Sequence, residues 1–276
     1  MAYDFRNELD KVKEYYEGDP LQKRFSALIT GETNAGKTYL LKTARKPIHI
    51  DSFDPGGTKG LLNEIKRGDI VADTQWEADD PFNPDKFAKW MKAIDIRFTI
   101  GYFEKFGTYC LDSASTWGDA VMSYGLAAAG RAGETPKHRY DYMPQKVHMV
   151  NYIKKLMRLP CDFILTGHLR ENRKVVHIDT KTGITREEIN YRFHTTGQAV
   201  VTIPLLFDEI YVLTVTDGRG RDPKRNMLID SLGTYVARSR LKGNGKLDAV
   251  EEPDIKKLLK KAGLNWDDKP KLEGGE

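Results

Sequence analysis

Residues 25–44 read FSALITGETNAGKTYLLKTA. The apolar run FSALIT, 25–30, has strand length, and a helical pattern over 37–45 carries Tyr39, Leu40, Leu41 and Ala44. Between them lies GETNAGKT, 31–38, with the G-x-x-x-x-G-K-[ST] spacing of a phosphate-binding loop. Each position has a physical reason. Gly31 leaves the strand by a turn that a side chain would hinder, and Gly36 lets the backbone close round phosphates. Amides from Glu32, Thr33, Asn34 and Ala35 through the first helical turn to Tyr39 point inward at an anion. Lys37 bridges the β- and γ-phosphates, and Thr38 offers a hydroxyl to Mg²⁺. A strand before the loop and a helix after it are the context such a loop requires, so a nucleoside triphosphate is the expected ligand.

Further short apolar runs follow: PIHID at 47–51, TYCLD at 108–112 and DFILTG at 162–167. Helical patterns occupy 84–106, 114–129 and 143–159. This alternation predicts a mostly parallel α/β sheet covered by helices on both faces. After 167 the pattern changes. KVVHIDTKTGITREEINYRF alternates and turns at Thr180–Gly183, which predicts a hairpin. EIYVLTV (209–215), NMLIDSL (226–232) and TYVARSR (234–240) predict antiparallel or edge strands. Residues 1–24 predict an amphipathic helix with Phe5, Leu9, Val12 and Tyr16 on one stripe, ended by Gly18-Asp19-Pro20. The expected division is therefore a helix at 1–24, one α/β domain at 25–250, and a Lys-rich helix with a frayed tail at 251–276.

The 276 residues are 39% hydrophobic and 30% charged, which excludes a disordered chain. No apolar stretch approaches the ~18 residues that span a bilayer, and residues 1–19 mix acids and bases unlike a signal peptide. Cys110 and Cys161 sit inside apolar runs and read as reduced core thiols of a cytoplasmic protein, with no membrane partner. Charge is localised: residues 131–174 carry ten Lys/Arg against four Asp/Glu, and 217–246 carry eight against three. Two basic segments suit a polyanion.

A phosphate loop needs an acid for its metal. Asp112 ends a buried strand at the carboxyl edge, where it would hold Mg²⁺ through water, with Ser113 beside it; an N-cap for helix 114–129 is the other reading. Hydrolysis also needs a group to orient water. No acid follows Asp112 directly, so the carboxylate comes from HIDSFDPGG, as Asp51 or, further out, Asp54. Either could instead serve a turn into Pro55, and Glu32 is a third candidate. His168, after a buried strand and Gly167, is placed to hydrogen-bond a γ-phosphate or to be a structural histidine. Arg238 and Arg240 alternate in YVARSRLKGNG, so they are either fingers for a neighbour's site or charges guarding an edge strand. The loop 217–225 could imitate a kinase lid, although its place after the core strands fits that role poorly.

The order GETNAGKT, HIDSFDPGG, YCLDS, ILTGH, YVARSRLKGNG resembles the RecA/DnaB-like P-loop ATPases, over residues 25 to about 245. Within them it is similar to phage nucleotide-binding proteins of AAA-domain type, some of which are recombination ATPases acting beside single-strand-annealing or single-strand-binding proteins. The resemblance implies a RecA-like fold, ATP with Mg²⁺, and assembly as a ring or filament. It puts a catalytic acid in the Asp51/Asp54 region, where relatives usually carry Glu. It puts a γ-phosphate sensor at His168 and trans-acting basic residues at Arg238 and Arg240. DNA-contacting loops correspond to roughly 130–145, where Tyr140 and Tyr142 interleave with cations, and 169–199. The expected function is a single-stranded-DNA-dependent ATPase of phage recombination or replication. The alternative is a nucleotide-gated ATPase acting on a protein partner in assembly or packaging.

Overall fold

Alternation along β1 (Ser26–Gly31) sets the layers of the molecule. Leu28 faces one apolar cluster, while Ala27 and Ile29 face another on the opposite side of the sheet. The same alternation places Tyr109 and Leu111 of β4 (Thr108–Asp112) in the first cluster and Cys110 in the second. Strands buried on both faces need a helical layer on each. The computed structural model describes residues 5–18, 24–178, 185–195, 199–216 and 223–272. On one face lie α4 (Lys86–Thr99), α5 (Ala114–Ala128), α6 (His138–Leu156) and the single-turn α7 (Ala199–Thr202), which bury Trp90, Trp117, Ile153 and Ala199. On the other lie α2 (Lys37–Leu41), through Leu40 and Leu41, and α8 (Ile255–Ala262), through Ile255, Leu258 and Leu259. Each such fully buried side chain contributes roughly 1.5–3 kcal/mol.

The sheet runs in the order Val250–Glu251, Lys224–Leu228, Glu209–Thr216, β1, Asp162–Ile178, β4, Ile48–Ser52, Ile70–Asp73. Its parallel part joins β3 (Ile70–Asp73), β2 (Ile48–Ser52), β4, β5 (Asp162–Ile178), β1 and β7 (Glu209–Thr216). β8 (Lys224–Leu228) and β10 (Val250–Glu251) extend it antiparallel, and β9 (Arg238–Ser239) pairs antiparallel with β7. The architecture is the expected one: a P-loop α/β fold with antiparallel additions. The carboxyl ends of β1, β2 and β4 share one edge with Gly167 and His168 of β5, where ligands bind in such sheets.

Several boundaries differ from the expectations. β5 does not stop at Gly167 but continues into a hairpin with β6 (Thr185–Phe193). Gly167 permits this because the Phe193 ring packs where a Cβ would lie. The expected turn at 180–183, Asp19-Pro20 and most of the loop 217–225 lie outside the described residues. The segment 130–145 is a loop only in part, since α6 begins at His138 and carries Pro144 in its early turns. The pattern over 84–106 breaks into α4 and a 3-10 turn at Tyr102–Lys105, because Gly101 takes a positive φ of 68°. The strand expected at 234–240 shrinks to β9. The short β3 and the single-turn α3 (Leu62–Lys66) before it were not anticipated. The tail after α8 is pinned rather than frayed as far as Lys269: Lys46 N donates to Asp268, and Lys269 N to the Lys46 carbonyl. α1 (Phe5–Gly18) leaves Leu9, Val12 and Tyr16 exposed. Cys110 and Cys161 are buried free thiols, and burial pushes Cys161 up to about 12. Among the described residues no helix is long and apolar enough to cross a membrane.

Candidate active site

The phosphate loop closes on itself through its backbone. Ala35 N donates to the Glu32 carbonyl at 3.2 Å, and Asn34 and Gly36 take positive φ values of 65° and 95°. At Gly31 a Cβ would meet the Leu213 carbonyl oxygen at 2.9 Å, so the close approach of β7 requires glycine there. Lys37 is buried and turned into the loop, where Nζ donates to the carbonyls of Gly31 (3.0 Å) and Glu32 (2.9 Å). Burial lowers its pKa, opposed by Asp112 and Asp54 nearby.

Thr38 turns its hydroxyl to Asp112, donating to Oδ2 at 2.7 Å. Thr166, from β5, donates to the other oxygen, Oδ1. Asp112 is fully buried, and burial raises its pKa against the pull of both threonines. A carboxylate with a hydroxyl beside it at a sheet edge is the oxygen-rich donor set that a hard divalent cation takes.

Asp54 lies just past the end of β2. Its Oδ1 accepts from Ser113 Oγ (3.0 Å) and Thr116 Oγ1 (2.6 Å), and its Oδ2 lies 3.5 Å from His168 Nε2. Burial would raise its pKa, but the hydrogen bonds from His168, Thr116 and Ser113 win and hold it below the usual carboxylate value. The other nitrogen of His168, Nδ1, lies 3.4 Å from Lys37 Nζ. His168 therefore stands between the loop lysine and the acid. The turn carrying Asp54 is fastened by Glu77, which accepts from Ser52 Oγ (2.7 Å) and from Gly56 N (2.8 Å).

The fold thus gathers Lys37, Thr38, Asp112, Asp54 and His168. It separates the rest. Asp51 requires a correction as a water-orienting acid. Its side chain is 0% exposed and turned toward α4, where it accepts from Trp76 and Trp90 Nε1, Tyr109 Oη and Arg97, beside His49 Nε2. Burial alone would raise its pKa; the His49 charge and hydrogen bond, with Arg97 and Tyr109, hold it far below. His49, Asp51 and Asp73 could by spacing hold a metal, but the Arg97 guanidinium already donates to both aspartates.

Arg238 also requires a correction. It does not project but folds back, with Nη2 donating to the Phe207 carbonyl at 2.5 Å and the Pro204 carbonyl at 3.4 Å. Arg240 does not share its strand; it caps a 3-10 turn at Leu241–Asn244, is exposed, and pairs with Asp208 at 2.6 Å. Glu32, Thr33, Asn34 and Ala35 wall a cavity of about 280 Å³ together with Pro223, Arg225 and Tyr235. Tyr39 is exposed, with Lys42 Nζ 3.3 Å above its ring. Sequence reasoning missed Thr166, Thr116 and Glu77. The first two had a signal, as small hydroxyl residues just before Gly167-His168 of β5 and just after the carboxyl end of β4; Glu77 had none, being 25 residues from the serine it holds.

No curated protein matches this sequence. Among solved structures the chain is similar to a prototypical ATPase from the type III secretion system of pathogenic bacteria, at 16% identity and a TM-score of 0.42, covering 82% of this chain and 56% of that one. It is also similar to the assembled ATPase EscN, solved with its central stalk EscO from the enteropathogenic E. coli type III secretion system, at 16% identity, a TM-score of 0.44, and 86% and 59% coverage. The chain spans less than two thirds of the length of either. A family model described as an AAA domain matches residues 23–241, from β1 through β9. That span holds the phosphate loop and every side chain gathered at the sheet edge, so the chain belongs to the AAA-domain family and is a P-loop ATPase.

Proposed function

We propose that the protein hydrolyses ATP with Mg²⁺ in response to single-stranded nucleic acid, as a DNA-dependent ATPase of recombination or replication that works in an oligomer. One observation carries the nucleic-acid part. At the base of the β5–β6 hairpin Arg170 lies directly opposite Arg192, and both are exposed. Like charges facing each other across a ladder destabilise it unless an anion lies between them. The two arginines line a groove of about 640 Å³ with Asn172, Thr195 and the ion-paired Glu171 and Arg173. The groove follows His168 in the same strand, so a residue bridging Lys37 and Asp54 is the first link of a basic hairpin. A polyanion backbone fits such a groove.

In this reading Lys37 releases the Gly31 and Glu32 carbonyls to bind phosphate. Thr38 and Asp112 would hold Mg²⁺, which would supply charge neutralisation for the phosphates. Asp54, kept ionised by its hydroxyl donors, accepts the proton of the attacking water. His168 senses the γ-phosphate and passes its loss to the hairpin. Arg240, on an exposed turn, is the remaining candidate for a neighbour's site.

The test is ATP turnover by the purified protein with and without single-stranded DNA, beside Lys37→Ala and the double variant Arg170→Ala/Arg192→Ala. The expectation is a several-fold rise with DNA, loss of that rise in the double variant, and no turnover in Lys37→Ala. Turnover indifferent to DNA would favour the second reading, an ATPase acting on a protein partner. That reading draws support from a mostly apolar cavity of about 440 Å³ lined by Leu169, Val201, Leu205 and Val236.

A further inference from the structure

Arg238 and Arg240 are held by acceptors of their own chain, but a different arginine rests on the phosphate loop. β1 pairs with β7 through Gly31↔Leu213, and β7 pairs with β8 through Val215↔Arg225. Arg225 therefore stands on the second strand out from the loop. Its side chain crosses back over it: a Cβ built on Gly36 would lie 3.1 Å from both Cδ and Nε of Arg225. The contact is with the glycine whose positive φ shapes the loop. Arg225 is exposed, and among the described residues its guanidinium has no carboxylate or carbonyl partner. In contrast, Arg45, Arg97 and Arg131 are each paired with aspartate.

A guanidinium carries five donors in a planar fork and keeps its charge at all working pH values. Arg225 forms no ion pair among the described residues, although Glu32 lines the same cavity, and so it adds positive potential beside the loop where anionic oxygens collect. The γ-phosphate end of the site is marked by Lys37 Nζ, His168 and Asp54. Gly36 and Arg225 form a different wall, continuous with the cavity lined by Glu32, Thr33, Asn34, Pro223 and Tyr235. We propose that Arg225 is a phosphate-binding residue of the nucleotide site, supplied in cis from β8; this rests on the nucleotide-binding reading of the loop. It assigns Arg225 a role that neither a kinase lid nor a solvated strand supplies.

The experiment is equilibrium binding of fluorescent N-methylanthraniloyl ATP and ADP, with inorganic tripolyphosphate as competitor, to the wild type, Arg225→Ala, Arg225→Lys and Lys37→Ala. Charge-assisted hydrogen bonds of this kind contribute enough for roughly a tenfold change in affinity. Arg225→Ala is expected to weaken ATP, ADP and tripolyphosphate by about that factor, with Arg225→Lys between the two. Because the side chain is exposed, thermal melts without nucleotide should coincide, which separates lost binding from lost fold. Unchanged ATP and ADP affinity in Arg225→Ala overturns the proposal. So does a loss for ATP with none for tripolyphosphate, which would put Arg225 on the base or sugar. A wild type that binds no nucleotide better than Lys37→Ala would overturn the loop reading itself.

Discussion

Asp51 and Asp54 stand three residues apart at the end of one strand, and their carboxylates face different layers of the molecule. Asp51 turns toward α4, into a cage of two tryptophans, a tyrosine, a histidine and Arg97. Those partners are large and packed in the core, with Trp76, Trp90 and Tyr109 all nearly inaccessible. Both oxygens are engaged and no water reaches them. Asp54 turns toward the phosphate loop, where its partners are two small hydroxyls and an imidazole. Hydroxyls rotate, so a lone pair can be released to a water without dismantling anything. Both acids lie below the usual carboxylate pKa. The difference lies in what each can do while ionised: Asp51 ties α4 and β4 to β2, and Asp54 remains open to chemistry.

The largest expected effect tests the open side of that contrast. Asp54→Asn keeps the shape and removes the proton acceptor, so kcat for ATP should fall by about 10²–10⁴-fold, with thermal stability close to wild type. A kcat within threefold would move the water-orienting role to another acid, Glu32 first. The caged side predicts the reverse. Asp51→Asn places an amide among donors and leaves Arg97 and His49 without their charge partner, a change of roughly 3–5 kcal/mol. Urea unfolding should show it. A loss below about 1 kcal/mol would mean that the cage relaxes round a neutral group, and the contrast would fail. A smaller effect lies between the two regions. Glu77→Gln weakens one of the two hydrogen bonds that fasten Ser52 and Gly56, so kcat should drop about tenfold. If Asp54 is positioned through that turn, KM for ATP should move less than kcat; equal changes in both would make Glu77 a part of general binding instead.

What was legible in the sequence follows the same divide. GETNAGKT fixes its own conformation, because the glycine at 36 and the short polar residues around it are demanded locally. Asp112 was legible because the four residues before it make a buried strand that ends there. Asp51 and Asp54 could not be told apart, because the distinction depends on Trp76, Trp90 and Arg97, which lie 25, 39 and 46 residues downstream. The sequence pattern ends β5 at Gly167 because a glycine reads as punctuation, whereas here it makes room for Phe193. Arg238 looked free because a strand pattern shows alternation but not the carbonyls of Pro204 and Phe207 beneath it. Local geometry is written in adjacent residues; the choice between equivalent acids or equivalent arginines is made by packing.

The smallest expected effect is the dependence of stability on acid, and it bears on Asp51 most directly. Its pKa is depressed in the folded chain, because His49 and Arg97 favour the ionised form more than burial opposes it. A depressed acid binds fewer protons folded than unfolded. Its contribution is therefore fully present above the unfolded value of about 3.9 and is lost as pH falls from there toward the folded value. The difference in unfolding free energy between the wild type and Asp51→Asn should thus be constant from about pH 7 to 5 and shrink below about pH 4, by up to ~1.4 kcal/mol per pH unit. Urea titrations at several pH values read this directly. Asp54 is also depressed, but His168 and two hydroxyls hold it at a site open to water, so Asp54→Asn should alter the acid limb less. If the two difference curves coincide, the cage holds Asp51 no more firmly than the active-site edge holds Asp54, and burial rather than donor identity sets their roles.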